Sequence, residues 1–339
     1  MTERPPAPWW LGDRFLWERL GRLRLSALRP ASQTRVRTAV VTDSACGLPL
    51  EWLAAAEAEP WFEAVPLSVM AGDEIFPDGP EAETALGIAL AAGRPVKTSR
   101  PAPGVFERVY RRLEAEGFEA VVSIHLSGAL SGTADAARLA AERVDVPVEI
   151  LDTRTAAMAQ GFAVQAACSA AAAGQDQKAV LAAARGTLDG AEVRFFLPSL
   201  EQLRRGGRIG AAASWVGTML SIRPLLAVQD GKIVPLERIR TSARALPRLR
   251  ELSTADARRR TTPRLAVHYF GNRSEAEELA HELVQELDLK ATSSSMREAK
   301  IVVTPLPAVL AAHTGLGVLA IVVTGRFGEA TDPAEATKG

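Results

Sequence analysis

The sequence predicts an α/β protein of two domains: a three-layer α/β/α domain built on a parallel sheet, then a second α/β domain with a mixed sheet. Three observations carry this. Short apolar runs at 38–42, 65–69, 121–124 and 148–151 alternate with helical spacing at 50–58, 81–91, 103–116, 132–143 and 155–173, the pattern of a parallel sheet covered on both faces. Asp230-Gly231 lies between the apolar runs 223–228 and 232–236, a tight hairpin signal that a purely parallel sheet would not contain. The chain has 339 residues and is 47% apolar, enough for two cores of ordinary globular composition.

The organisation follows in chain order. Residues 1–36 form an N-terminal extension in which Trp9, Trp10, Phe15, Trp17 and Leu20 are interleaved with Arg14, Arg19, Arg22 and Arg24. This reads as a basic amphipathic helix: it packs on the body, extends upstream of the true start, or rests transiently on a membrane surface through residues 9–25. It lacks the uninterrupted apolar core and small-residue cleavage site of a signal peptide. Residues 37–190 form the parallel-sheet domain, and the composition changes between Gly174 and Gly190. Residues 191–325 form the mixed-sheet domain. In it, Ser199-Leu200-Glu201-Gln202 is a capping box opening a short helix that Gly206-Gly207 ends. Strands at 265–270, 300–304 and 319–323, with a helix at 274–288, complete that layer, and 326–339 is a tail.

Composition narrows the function classes. Lys plus Arg equals Asp plus Glu at 40 each, so net charge gives no reason to expect nucleic acid. Cys46 and Cys168 are far apart, with no cysteine or histidine at a metal-ligand interval. No metal site, cofactor or disulfide framework is expected, and both thiols suit a reduced, cytoplasmic setting. No apolar stretch reaches the length of a membrane span.

Three segments carry chemistry. Leu126-Ser127-Gly128-Ala129-Leu130-Ser131-Gly132-Thr133 is a hydroxyl- and glycine-rich turn between an apolar strand and an alanine-rich helix, where free N–H groups and the helix dipole favour an oxyanion. With no lysine or arginine inside it, the turn suits a carboxylate better than a polyphosphate. The same turn is also an ordinary serine-rich helix cap. Lys97-Thr98-Ser99-Arg100-Pro101 places another hydroxyl pair at the start of a helix with the face Phe106, Val109, Tyr110 and Leu113. Ala312-His313-Thr314-Gly315-Leu316-Gly317 puts an imidazole in a glycine-rich turn before a strand. Asp43-Ser44 and Ser127 end strands, the edge where open α/β sheets place ligands.

Together these segments resemble the signature set of the DegV family, bacterial proteins that bind one fatty acid and include the acyl-binding subunit of fatty acid kinase. The resemblance runs through Val41-Thr42-Asp43-Ser44, Lys97-Thr98-Ser99, residues 127–133, Ile150-Leu151-Asp152-Thr153, residues 203–209, Ile222-Arg223-Pro224-Leu225-Leu226 and His313-Thr314-Gly315, covering about 37 to 325. It implies a DegV-like two-domain fold and a long-chain fatty acid held between the domains. Its carboxylate would meet Thr98, Ser99, Ser127, Gly128 and His313, supported by Asp43, Ser44, Ser131, Thr133, Thr314 and Gly315. The chain would be a lipid-binding protein with no catalytic residue of its own. It would present the carboxylate to a separate ATP-dependent kinase subunit for acyl-phosphate formation in phospholipid metabolism, docking through Arg204, Arg205, Arg208 and Arg240. Departures sit inside the signature: Arg100 replaces the usual glutamine, Ala102 a serine, Gly128 the second of two serines, and Leu316 a proline.

For the tail, candidate wall residues are Val69, Phe76, Leu126, Leu130, Phe162, Phe195, Trp215, Met219, Leu220 and Ile222. Residues 204–210 lack the lysine and hydroxyl of a P-loop, so nucleotide binding by this chain is not expected; a basic helix end with a glycine cap explains the same residues. Two other functions remain open. One is a lipid carrier or sensor with no kinase. The other is a hydrolase using Ser127, His313 and Asp43 as nucleophile, base and orienter, against which stands the absence of a Gly-x-Ser-x-Gly elbow.

Overall fold

The structure is a computed structural model, and it describes residues 35–215, 223–239, 241–287 and 301–325. The amphipathic segment 9–25, Met219, Leu220, Ile222, Arg240 and the tail 326–339 lie outside the described residues.

The first domain is built on strands β1 (Thr38–Asp43), β2 (Phe62–Val65), β6 (Ala120–His125) and β7 (Val148–Asp152), all parallel in the order β2-β1-β6-β7. Every residue of β1 and β6 is buried, which is why both read as continuous apolar runs and not as alternating ones. Helices α1 (Leu50–Glu57), α3 (Pro103–Ala115), α4 (Thr133–Ala141), α5 (Met158–Ala172) and α6 (Gln177–Leu188) cover this sheet. The α2 helix (Pro80–Ala91) packs instead on a separate antiparallel sheet of β3 (Ser68–Ala71), β4 (Glu74–Pro77) and β5 (Val96–Ser99), ordered β4-β3-β5.

That small sheet corrects two expectations. The run 65–69 is not one strand: β2 ends at Val65, and after Pro66 and Leu67 the chain enters β3 in a different sheet. Proline has no N–H for the ladder and restricts the residue before it, so the break falls there. Lys97, Thr98 and Ser99 do not start a helix. They lie in β5, paired with Ser68, Val69 and Met70, and α3 begins four residues after Ser99 at Pro103. Thr98 is therefore fixed by a strand ladder.

The second domain holds a mixed sheet of six strands: β8 (Glu192–Phe196), β9 (Arg223–Gln229), β10 (Lys232–Ile239), β11 (Arg264–Tyr269), β12 (Ile301–Pro305) and β13 (Leu319–Thr324), ordered β10-β9-β8-β13-β11-β12. Only β11 and β12 run parallel. The hairpin expected at Asp230-Gly231 joins β9 and β10, with φ of 49° and 79° at the two turn residues. Both angles belong to the mirror-image turn that matches strand twist, which aspartate and glycine accept.

Alternation splits this sheet cleanly. Leu319, Ile321 and Val323 of β13 join Leu265, Val267 and Tyr269 in a core under α8 (Ser242–Arg258) and α9 (Arg273–Leu287), while Ala320 faces the opposite way. Helix α8 has no counterpart in the sequence reading. Its dense arginines and the internal Pro247 hide an apolar face of Ala245, Leu249 and Ala257. Helix α6 falls where the sequence shows only a change of composition. It starts at Asp176, whose carboxylate accepts from Ala179 N at 2.9 Å, and buries Val180 and Ala184 one turn apart.

Candidate functional site

The face of the mixed sheet that carries Ala320 looks toward the parallel-sheet domain, and a cavity of about 430 Å³ lies between them. Val193 and Phe195 of β8, Val228 of β9, Ile233 of β10 and Ala320 of β13 form one wall. Leu126, Leu130, Ala156 and Ala157 enter from the first domain. Two further helices close the site: α7 (Glu201–Arg205), followed by Gly206 and Gly207, and α10 (Ala308–Thr314), which supplies Val309, Leu310 and His313. The volume lies in the usual range for a small-molecule pocket, and the lining is mostly apolar with its polar groups gathered together.

Those polar groups are Thr98 and Ser99 from β5, Ser131 and Gly132 from the turn after β6, Arg100, Arg208, and His313 with Thr314 from α10. His313 Nε2 is 2.9 Å from Thr98 Oγ1, joining the two domains by a side-chain bond. Burial, helped by the charge of Arg208, pushes the His313 pKa down to about 4, so the ring is neutral at pH 7. Its Nδ1 is buried without a hydrogen-bond partner. Space for the ring comes from Gly206, where an added β-carbon would stand 2.1 Å from His313 Nδ1. In the sequence Gly206 reads only as a helix terminator, because the steric demand comes from a residue more than a hundred positions away.

Ser127 and Gly128 are placed differently. They do not line the cavity, although their neighbours Leu126 and Leu130 do. Ser127 is buried and its hydroxyl donates to Gly231 O at 2.7 Å, so the tip of the β9–β10 hairpin is clasped to the turn. Gly128 N donates to Asp152 Oδ1 at 3.1 Å. Beside them, Arg154 Nη2 meets Asp230 Oδ1 at 3.0 Å. Replacing Ser127 by alanine is expected to lower stability by about 1 kcal/mol, since the buried Gly231 carbonyl loses its side-chain partner. Equal urea midpoints for Ser127→Ala and the parent protein would show that the clasp contributes nothing.

Among the supporting residues, Ser131 Oγ lies 2.8 Å from Thr133 Oγ1, and Ser44 Oγ donates to Asp78 Oδ2 at 2.7 Å. Asp78 in turn accepts from Val309 N at the start of α10, and burial raises its pKa to about 6. Ser44 thus holds the carboxylate that meets the first turn of the helix carrying His313. Thr314 Oγ1 donates to Leu310 O, and Gly315 ends α10 with φ of 83°. Asp43 is buried, with Oδ2 2.9 Å from His125 Nδ1 and Oδ1 accepting from Ala45 N and Gln160 Nε2. No bond links it to Ser127 or His313, and Ser127 bonds to a carbonyl, so a Ser127–His313–Asp43 relay is not assembled.

Of the arginines, Arg204 and Arg205 are exposed and both pair with Glu201 at 2.8 Å. Arg208 lines the cavity, donating from Nε to Leu130 O at 3.1 Å and from Nη1 to Gly206 O at 2.6 Å. Of the proposed tail contacts, Leu126, Leu130 and Phe195 line the cavity, whereas Phe162 packs in the other core beneath the Arg264 guanidinium. Among the described residues no cluster of acidic, histidine and cysteine side chains could hold a metal ion, and no helix is long and apolar enough to cross a membrane.

Fold and site define a two-domain α/β protein with an apolar interdomain cavity ending in a hydroxyl–imidazole pair. The chain belongs to the DegV family: the family model described as "Uncharacterised protein, DegV family" matches residues 37–326. A DegV domain-containing protein of Streptomyces coelicolor is 40% identical over 289 residues, spanning 85% of this chain and 98% of that protein. A solved structure described as fatty acid binding of a DegV family protein from Thermus thermophilus has a TM-score of 0.74 and 32% identity, covering 85% of this chain and 99% of the other. DegV of Bacillus subtilis, described as a fatty acid binding protein, has a TM-score of 0.74 and 27% identity, covering 86% and 100%.

Proposed function

We propose that this chain binds one long-chain fatty acid in the interdomain cavity, with its carboxylate at Thr98, Ser99 and His313 and its tail along β8, β9 and β13. The observation that carries the reading is the cavity itself, apolar along the sheet and closed at one end by a hydroxyl bonded to a neutral imidazole. A carboxylate held there offsets its desolvation through hydrogen bonds from the hydroxyls of Thr98 and Ser99, with Thr98 held by His313. Fatty acid binding described for the Thermus and Bacillus relatives supports the same assignment. Ser127 would join the head-group set only if the hairpin tip released its hydroxyl, whereas the Gly128 N–H is taken by Asp152. At about 0.8 kcal/mol per buried methylene, the tail dominates affinity and chain length dominates selectivity.

The bound acid is a substrate for a partner: a separate kinase subunit supplies ATP, and the carboxylate oxygen attacks the terminal phosphorus as ADP leaves. Arg204 and Arg205, exposed beside the cavity-lining Leu203 and both paired with Glu201, provide the docking surface, with Arg240 as a further candidate. Arg208 belongs to the cavity wall, so it is not the residue that isolates docking. In Arg205→Glu, oleate affinity is expected to stay within about twofold while kinase-dependent acyl-phosphate formation falls at least about tenfold, because a surface charge reversal acts on encounter and docking. Equal losses in both assays would make the loop structural. Normal turnover in the variant would place kinase docking elsewhere, and no turnover with any kinase would favour a carrier or sensor.

A further inference from the structure

We infer that Arg100, with Arg208, supplies the positive charge facing the ligand head group and sets a preference for an anionic acyl chain over an uncharged one. The inference rests on the fatty acid reading above and assigns a specificity role to Arg100.

Among the described residues, Arg100 and Arg208 are the charged side chains in the cavity wall, and no aspartate or glutamate lines it. They sit on the same turn: Arg100 Nη1 donates to Gly132 O at 3.1 Å, and Arg208 Nε donates to Leu130 O at 3.1 Å. Their bonds are to backbone carbonyls, and among the described residues neither has a carboxylate within ion-pair distance. Arg204 and Arg205, four and three residues before Arg208, share Glu201. A guanidinium has five N–H donors, so both side chains keep donors beyond those spent on the turn.

The rest of the head-group end cannot neutralise an anion. His313 is neutral at pH 7, and the hydroxyls of Thr98 and Ser99 carry no charge. The Gly128 N–H already faces the protein's own carboxylate at Asp152, and a β-carbon at 128 would stand 2.7 Å from Asp152 Oδ2. A side chain at 128 would have to displace the Asp152 carboxylate, so in this arrangement the counter-charge comes from across the turn. Gly132 accommodates that arrangement, since a β-carbon there would lie 3.1 Å from Arg100 Cδ and Nη1.

The test compares oleate with oleyl alcohol, equal in chain and different in head-group charge, on delipidated protein at pH 8 and low salt. Arg100→Gln is expected to weaken oleate binding about fivefold and to leave oleyl alcohol within about twofold, as for a partly exposed charge pair. Arg100→Lys should keep most of the discrimination. An unchanged oleate-to-alcohol ratio in Arg100→Gln overturns the inference while leaving fatty acid binding intact, and so does a parallel loss for both ligands. A parent protein that binds neither ligand fails the fatty acid reading itself.

Discussion

Replacing Gly206 with alanine should reduce oleate affinity by at least about tenfold, more than any single hydroxyl deletion in the site. The backbone at 206 is in the ordinary right-handed helical region, so alanine adds no strain of its own. The added carbon would lie 2.1 Å from His313 Nδ1, 2.8 Å from Cε1 and 3.2 Å from Gln202 O. The ring must leave that position, and the bond from His313 Nε2 to Thr98 Oγ1 is lost with it. A loss of about 1.4 kcal/mol is tenfold, within reach when a part-buried polar pair at the head group is broken and its imidazole displaced. Isothermal titration of the delipidated variant gives the number, and unchanged affinity would mean that the imidazole does not touch the ligand.

The second large effect is on chain-length preference. Ala320 of β13 pairs with Phe195 of β8, and both line the cavity on the face opposite the α8–α9 core. Phenylalanine at 320 would occupy the space of about four methylenes, removing about 3 kcal/mol of burial from an eighteen-carbon acid. Stearate affinity should therefore fall by about a hundredfold while laurate changes little, provided the sheet holds its register. Competition between the two acids measures this as a ratio, which does not depend on the active fraction of either protein. An equal loss for both acids would show that the tail runs elsewhere.

Much of this was legible in the sequence because local rules sufficed. The fully buried strands β1 and β6, the Asp230-Gly231 hairpin and the terminator Gly206-Gly207 each depend on neighbours within a few residues. The order of short motifs also disclosed the family, and Thr98 and His313, 215 positions apart, do meet. Illegible features had non-local causes. Pro66 sends the chain from one sheet into another, so a single apolar run became two strands. Helix α8 is held by an apolar face and by Arg250, which pairs with Glu286 of α9 at 2.6 Å, while its own composition looks like an exposed charged stretch. The bond from Ser127 to Gly231 spans 104 positions, and no spacing rule would distinguish a clasp from an anion site. Cavity walls such as Val193, Val228 and Ala320 could have been found by following the alternation of the mixed sheet, which sends every second residue to one face.

Native mass spectrometry of protein taken directly from cells, with no lipid added, is the most direct test of the central claim. The account predicts a dominant species heavier than the chain by one long-chain fatty acid, which collapses to the bare chain mass on gentle activation and yields a single free acid on extraction. In Gly206→Ala the adduct should be largely absent. A bare chain that also fails to take up palmitate or oleate when these are supplied would contradict the account. So would an adduct that survives denaturation, because it would signify a covalent bond and not a cavity that holds its ligand by burial.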